Sequence, residues 1–218
     1  MTDYATARQN MIDCQLRPNN VNDAAVLKAI AQTPREMFVP AASRPMAYVD
    51  EDVPVGAGRA LLEPMVFARM LELAEIGPGD IVLDIACATG YSTAVLARLA
   101  NTVVALEDSA ELADAANELM TDLAIGNAVV VTGALTAGRP SDAPFDVILI
   151  EGAVAAIPPA LIDQLGEGGR LVAILRPDDG PGRMTLVVKS AGAISQTAAY
   201  DAATPRLEAF TPAAGFVF

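Results

Sequence analysis

The chain has 218 residues, 27 acidic against 14 basic and no histidine, which leaves a net charge of −13 at neutral pH. At 53% apolar residues it can bury a sizeable core, in one domain or one domain with a small appendage. The acidic balance argues against a nucleic-acid partner, because such proteins neutralise phosphates with Lys and Arg, and the missing histidine excludes Ser/His and Cys/His triads and every histidine-held metal.

Residues 4–16 read as a helix, and 22–32 as a second with an Asn/Asp start. A short piece follows at 34–40, and the first 55 residues contain no convincing strand. Gly56-Ala57-Gly58 punctuates this region. Pro64 sits where a first helical residue would, and Val66, Phe67, Met70, Leu71 and Ala74 then share one helical face until Gly77-Pro78-Gly79. From Asp80 strands alternate with helices. Strands are expected at 81–86, 102–107, 128–132, 145–151 and 170–176. Helices are expected at 92–100, after an Asp108/Glu111 capping box, and at 157–165, the last broken by Gly166 and Gly168-Gly169. The remainder, 184–189, 194–200 and 216–218, reads as antiparallel strand.

Asp3, Arg8, Asn10 and Asp13 interrupt the stretch a signal peptide would keep apolar, and no run approaches about 18 apolar residues, so a cytoplasmic protein off the membrane is expected. Cys14 and Cys87 are too few for a four-thiolate zinc site and give no reason to expect a disulfide framework, so no metal is expected.

Strands apolar on both faces and alternating with helices indicate an α/β fold, a doubly wound and mostly parallel sheet with helices on both faces, here with an N-terminal helical extension. We divide it at residue 63, with a helical segment and loop over 1–63 and the sheet over 64–218, forming one compact unit. Ligands in such sheets lie beyond the carboxyl ends of the strands. The residues there are 84–91, 107–108, 132–135 and 151–154. Asp84 ends the first strand, a turn of small residues follows, and Glu107 ends the second strand at the spacing of a ribose-binding acid. Together they suggest a nucleoside site. A generic sheet with small turns and an acidic strand end has the same features. A dinucleotide site would want three glycines, whereas this turn has one, Gly90.

The pattern becomes specific in Pro34-Arg35-Glu36-Met37-Phe38-Val39-Pro40, in Val53-Pro54-Val55-Gly56-Ala57-Gly58, in Glu63-Pro64, in Val82-Leu83-Asp84-Ile85 through Gly90-Tyr91-Ser92, in Ala143-Pro144-Phe145-Asp146, and in Gly168-Gly169-Arg170-Leu171. In this order and spacing the chain resembles the protein-L-isoaspartate O-methyltransferase family over nearly its whole length. The resemblance implies a Rossmann-like sheet, S-adenosyl-L-methionine as cofactor, and isoaspartyl carboxyls of damaged proteins as substrate. It places Asp84, Ala86, Cys87, Ala88, Gly90, Glu107, Gly133, Ala134 and Glu151 at the cofactor, and Arg59, Ala60 and Leu62 at the substrate loop, with no catalytic residue assigned beyond these positional candidates.

The chain departs from the family's pattern at the site. Ala86 and Ala88 replace two glycines, and Ala60 and Leu62 stand where the family has hydroxyls. Gly133-Ala134-Leu135 lacks a carboxylate expected near the adenine, and Glu151 replaces a threonine, adding a charge at the mouth. Two other readings therefore stand beside the enzyme: a degenerate paralogue with a binding or regulatory role, and a nicotinamide-dependent oxidoreductase. Arg59 in a polar loop is more often solvated than a ligand. Cys87 reads as a small hydrophobe, Tyr91 as helix–sheet packing, and the eight methionines as core filler.

Overall fold

A computed structural model describes residues 3–177 and 180–211. The chain opens on α1 (Tyr4–Met11), whose N-terminus is held by the Asp3 carboxylate accepting from the Thr6 N–H at 3.1 Å, and continues through one wider π-type turn, Ile12–Leu16. In α2 (Ala24–Ala31) the Asp23 carboxylate accepts from Ala25 and Val26 N–H, the expected acidic cap.

A hairpin follows where no strand is expected: β1 (Val53–Gly56) and β2 (Arg59–Leu61), antiparallel, with Val53 opposite Leu61. Its strands are four and three residues long, too short to show a period, and Pro54 argues against a strand. Helix α3 (Pro64–Ala74) begins on its proline and stops before the glycines, at Glu75 in the left-handed region (φ 49°).

The remaining elements are β3 (Ile81–Ile85), α4 (Tyr91–Leu96), β4 (Thr102–Glu107), α5 (Ala110–Asp122), β5 (Ala128–Thr132), β6 (Phe145–Val154), α6 (Pro159–Asp163), β7 (Leu165–Leu175), β8 (Gly182–Ser190) and β9 (Ala193–Ala202). Several of these differ from expectation, among them β6, which runs on to Val154, and α6, which is shorter than 157–165. The cap of α5 is Ser109, whose hydroxyl accepts from the Leu112 N–H, rather than Asp108. The α4 helix is shorter than expected. Gly166, Gly168 and Gly169 do not break a helix; they lie inside β7, where the pairing with β6 slips from Phe145↔Leu165 to Val147↔Arg170. The strand expected at 216–218 lies outside the described residues.

The seven-stranded sheet runs β5-β4-β3-β6-β7-β8-β9; β3 to β7 are parallel, and β8 and β9 antiparallel. Chain order reverses at β3, which pairs with both β4 and β6. Alternate residues enter opposite cores. Val82 joins the N-terminal helices, with Leu16, Ile30 and Phe67, while Leu83 and Ile85 pack with Ile148, Leu161 and Leu207.

Candidate active site

The reversal at β3 opens the sheet at its carboxyl edge, where the turn 86–90 crosses from β3 to α4. Ala86 and Ala88 adopt positive φ (62° and 52°), and Gly90 does so at 89°. The two alanines thus keep a turn that would suit glycine, and their methyls are buried. The turn is sewn to β4: the Ala86 N–H donates to the Leu106 carbonyl at 2.8 Å, and the Ala88 N–H to Glu107 Oε2 at 2.9 Å.

Glu107 has no exposed surface and its carboxylate is saturated. Oε1 accepts from the N–H groups of Asp108 (2.9 Å) and Ser109 (3.1 Å). The Arg59 guanidinium completes the set, with Nε 3.3 Å from Oε2 and Nη2 3.2 Å from Oε1, while Nη2 also donates to Asp108. Arg59 is 6% exposed. It is therefore neither solvated nor open to a substrate carboxylate, contrary to both sequence expectations. A pairing 48 residues apart leaves no local pattern in the sequence. Burial pushes the Glu107 carboxyl up, against the pull of Arg59 and the N–H groups.

Asp84 is buried. Its Oδ2 accepts from the Ser92 and Thr93 hydroxyls at 2.8 and 2.7 Å, anchoring α4, while Oδ1 has no hydrogen-bond partner among the described residues. Glu151 is also buried, with Oε1 equally unpartnered. Burial and then the nearby Asp84 charge push its carboxyl well above the ordinary carboxylate range. Glu151 therefore does not stand at a mouth: it lies inside, because β6 runs on to Val154. Asp84, driven up to about 6 by burial, is ionised at pH 7.

The other expected residues fall around this centre. The Gly133 N–H donates to the Glu107 carbonyl at 2.9 Å, and Ala134 is exposed at the rim. Burial raises the Cys87 thiol and keeps it unreactive. Tyr91 packs edge-on against Phe38, with ring centres 5.6 Å apart. Arg35 carries a role the sequence does not reveal. Fully buried over the Tyr91 ring, it donates to the carbonyls of Ala47 (2.6 Å) and Leu62 (2.7 Å) and so fixes the base of the hairpin. Ala60 and Leu62 face the turn across a gap of about 10 Å³, room for about one water.

A parallel sheet reversing at β3, with acids closing β3 and β4 around a tight turn, defines a nucleoside-binding protein of the Rossmann-like class. The family model for protein-L-isoaspartate(D-aspartate) O-methyltransferase (PCMT) matches residues 6–203. The protein-L-isoaspartate O-methyltransferase of Koribacter versatilis is 43% identical over 90% of this chain and 88% of its own, and that of Methylorubrum populi 41% identical over 86% and 85%. Among solved structures, a protein-L-isoaspartate O-methyltransferase superposes with a TM-score of 0.80 at 24% identity, over 92% of this chain, which spans 65% of that longer one. A Plasmodium falciparum beta-aspartate methyltransferase in complex with S-adenosyl-L-homocysteine superposes with a TM-score of 0.80 at 19% identity, over 96% of this chain and all of its own. The chain belongs to the protein-L-isoaspartate O-methyltransferase family, and neither the paralogue nor the nicotinamide reading is favoured by these matches.

The residues present fit the family's cofactor in chemistry. Asp84 Oδ1 and Glu151 Oε1 are buried acceptors without partners, suited to an ammonium, and Glu107 with the 86–90 turn is suited to a sugar. At the sugar end, Arg59 occupies the acid.

Proposed function

We propose that this protein is an S-adenosyl-L-methionine-dependent O-methyltransferase that acts on isoaspartyl carboxyl groups of damaged proteins. The observation that carries the reading is family membership across residues 6–203, with Asp84 and Glu107 at the ends of adjacent parallel strands. Glu107 would hold the sugar, and Asp84 with Glu151 the amino end. When bound, the cofactor supplies a methyl group on a sulfonium.

The acceptor carboxylate, with a pKa near 4, is already ionised at neutral pH, so a chain without histidine lacks nothing the chemistry needs. The protein's task is alignment, which can supply roughly 7–11 kcal/mol. The β1–β2 hairpin presents Ala60 and Leu62 to the acceptor, apolar walls that exclude water and leave backbone groups to hold the carboxylate. Cytoplasmic location, and damaged protein rather than nucleic acid or membrane as partner, complete the proposal. Among the described residues no helix is long and apolar enough to cross a membrane.

The test is transfer of a labelled methyl group to an isoaspartyl peptide and to its normal aspartyl isomer. We expect labelling of the first alone, and loss of S-adenosyl-L-homocysteine binding by calorimetry in Glu107→Ala. Equal labelling of both isomers, or none with the ligand bound, would overturn the assignment.

A further inference from the structure

We propose that Arg59 is a gate on the sugar position, so that the nucleoside and this guanidinium compete for Glu107. The inference rests on the cofactor reading above. A carboxylate offers about four lone-pair positions. Three are taken by the N–H groups of Ala88, Asp108 and Ser109, which belong to the turn and the start of α5. What remains faces Arg59, whose Nε and Nη2 lie 3.3 and 3.2 Å from the two oxygens. A sugar hydroxyl needs that same remaining position, on Oε2 beside the Ala88 N–H. Both cannot sit there.

The position of Arg59 makes this a gate. It stands on the hairpin whose next residues, Ala60 to Leu62, close the 10 Å³ gap over the 86–90 turn. A ligand pocket needs on the order of 300 Å³ or more. Residues 60–62 must therefore move for a ligand to pass over the turn towards Glu151. The hairpin's base is pinned by Arg35 through the Leu62 carbonyl, and its tip, Gly56-Ala57-Gly58, is exposed and runs through three positive-φ residues. Arg59, paired to Glu107 and Asp108, ties that tip to the sheet. On the outer side it lines a cleft of about 410 Å³ with Asp108, Arg206 and Glu208, into which the released side chain can swing.

The experiment is calorimetric titration with S-adenosyl-L-homocysteine of the intact protein, of Arg59→Ala, and of Asp108→Asn, which loosens Arg59 from an exposed partner and keeps Glu107 with its backbone N–H donors. We expect Arg59→Ala to bind at least tenfold tighter and Asp108→Asn a few-fold tighter. N-ethylguanidinium at tens of millimolar should refill the vacated position and reverse the gain in Arg59→Ala, an effect a merely structural arginine would not produce. If Arg59→Ala fails to fold, Asp108→Asn decides: unchanged or weaker binding overturns the gate. Equal or weaker binding by Arg59→Ala, in a protein whose wild type binds and transfers methyl groups, overturns the gate and leaves the methyltransferase standing. No binding by any of the three overturns both.

Discussion

Glu151 and Asp84 are buried carboxyls on the adjacent strands β6 and β3, both raised by burial, and this sets a pH dependence with a definite sign. The folded carboxyl of Asp84 titrates near 6, against an ordinary value of 3.8, because burial outweighs the Thr93 and Ser92 hydroxyls. That of Glu151 lies well above 4.5, through burial and then the Asp84 charge. Both are raised acids, so the folded chain binds more protons than the unfolded one. The stability they contribute is complete below the ordinary carboxylate range. It is lost as pH rises, between about 4 and 6 for Asp84 and further up for Glu151. Each pH unit over which the folded state keeps one extra proton lowers stability by about 1.4 kcal/mol. Glu151→Gln removes one such group and keeps the shape of the protonated acid. Its melting temperature should match wild type near pH 4 and rise above it as pH increases past the ordinary carboxylate range. A constant difference with pH would show Glu151 to be ionised inside the fold. From the sequence Glu151 reads as a charge at the mouth; strand length alone reverses this, since three more residues of β6 carry it inside.

Within the 86–90 turn three residues share the left-handed backbone, yet only one must be glycine. At Gly90 an added Cβ would lie 3.0 Å from Met120 Cε and 3.1 Å from Ala116 Cβ, against α5. Gly90→Ala combines left-handed strain of about 1–2 kcal/mol with this crowding, and should lower stability by roughly 2–3 kcal/mol in urea denaturation. Ala86→Gly and Ala88→Gly relieve the same strain but lose a buried methyl, about 0.8 kcal/mol, and add freedom to the unfolded chain. The terms nearly cancel, and each variant should stay within about 1 kcal/mol of wild type; a larger loss would mean the alanines are held by packing rather than by the turn. This contrast explains what was readable. The strands β3, β4 and β5 are mostly apolar runs of five or six residues, and so were legible nearly to the residue. The turn's place after β3 was legible too, with Asp84 and Glu107 at its flanks. The hairpin was not, because seven strand residues with a proline carry no periodicity, and neither was the Arg59–Glu107 pair, which depends on how the hairpin folds over the sheet.

The division at residue 63 is a boundary in pattern, and the contacts across it argue that it is no boundary in folding. Leu16, Val26 and Ile30 from the N-terminal helices share a core with Phe67, Leu71 and Leu96. Polar ties cross as well. The Asn22 and Asp23 N–H groups donate to Glu72 at 2.7 and 2.9 Å, and the Thr89 hydroxyl donates to the Phe38 carbonyl at 2.6 Å. Arg35 stacks over Tyr91 from the same side, 4.8 Å from the ring centre. Separate domains meet through modest, more polar interfaces and move relative to one another; here the N-terminal helices pack on α3 and α4, and removing them would bare apolar residues of those helices such as Phe67, Leu71 and Leu96. Folding should therefore be one cooperative event over the described residues. In urea, far-UV circular dichroism should show a single transition, and amide-exchange protection in α2 and in β3 should fall at the same denaturant concentration. If α2 opened at lower urea with β3 still protected, the N-terminal layer would be a separate unit. The gate formed by its hairpin would then move with that whole layer rather than through the Gly56–Gly58 tip.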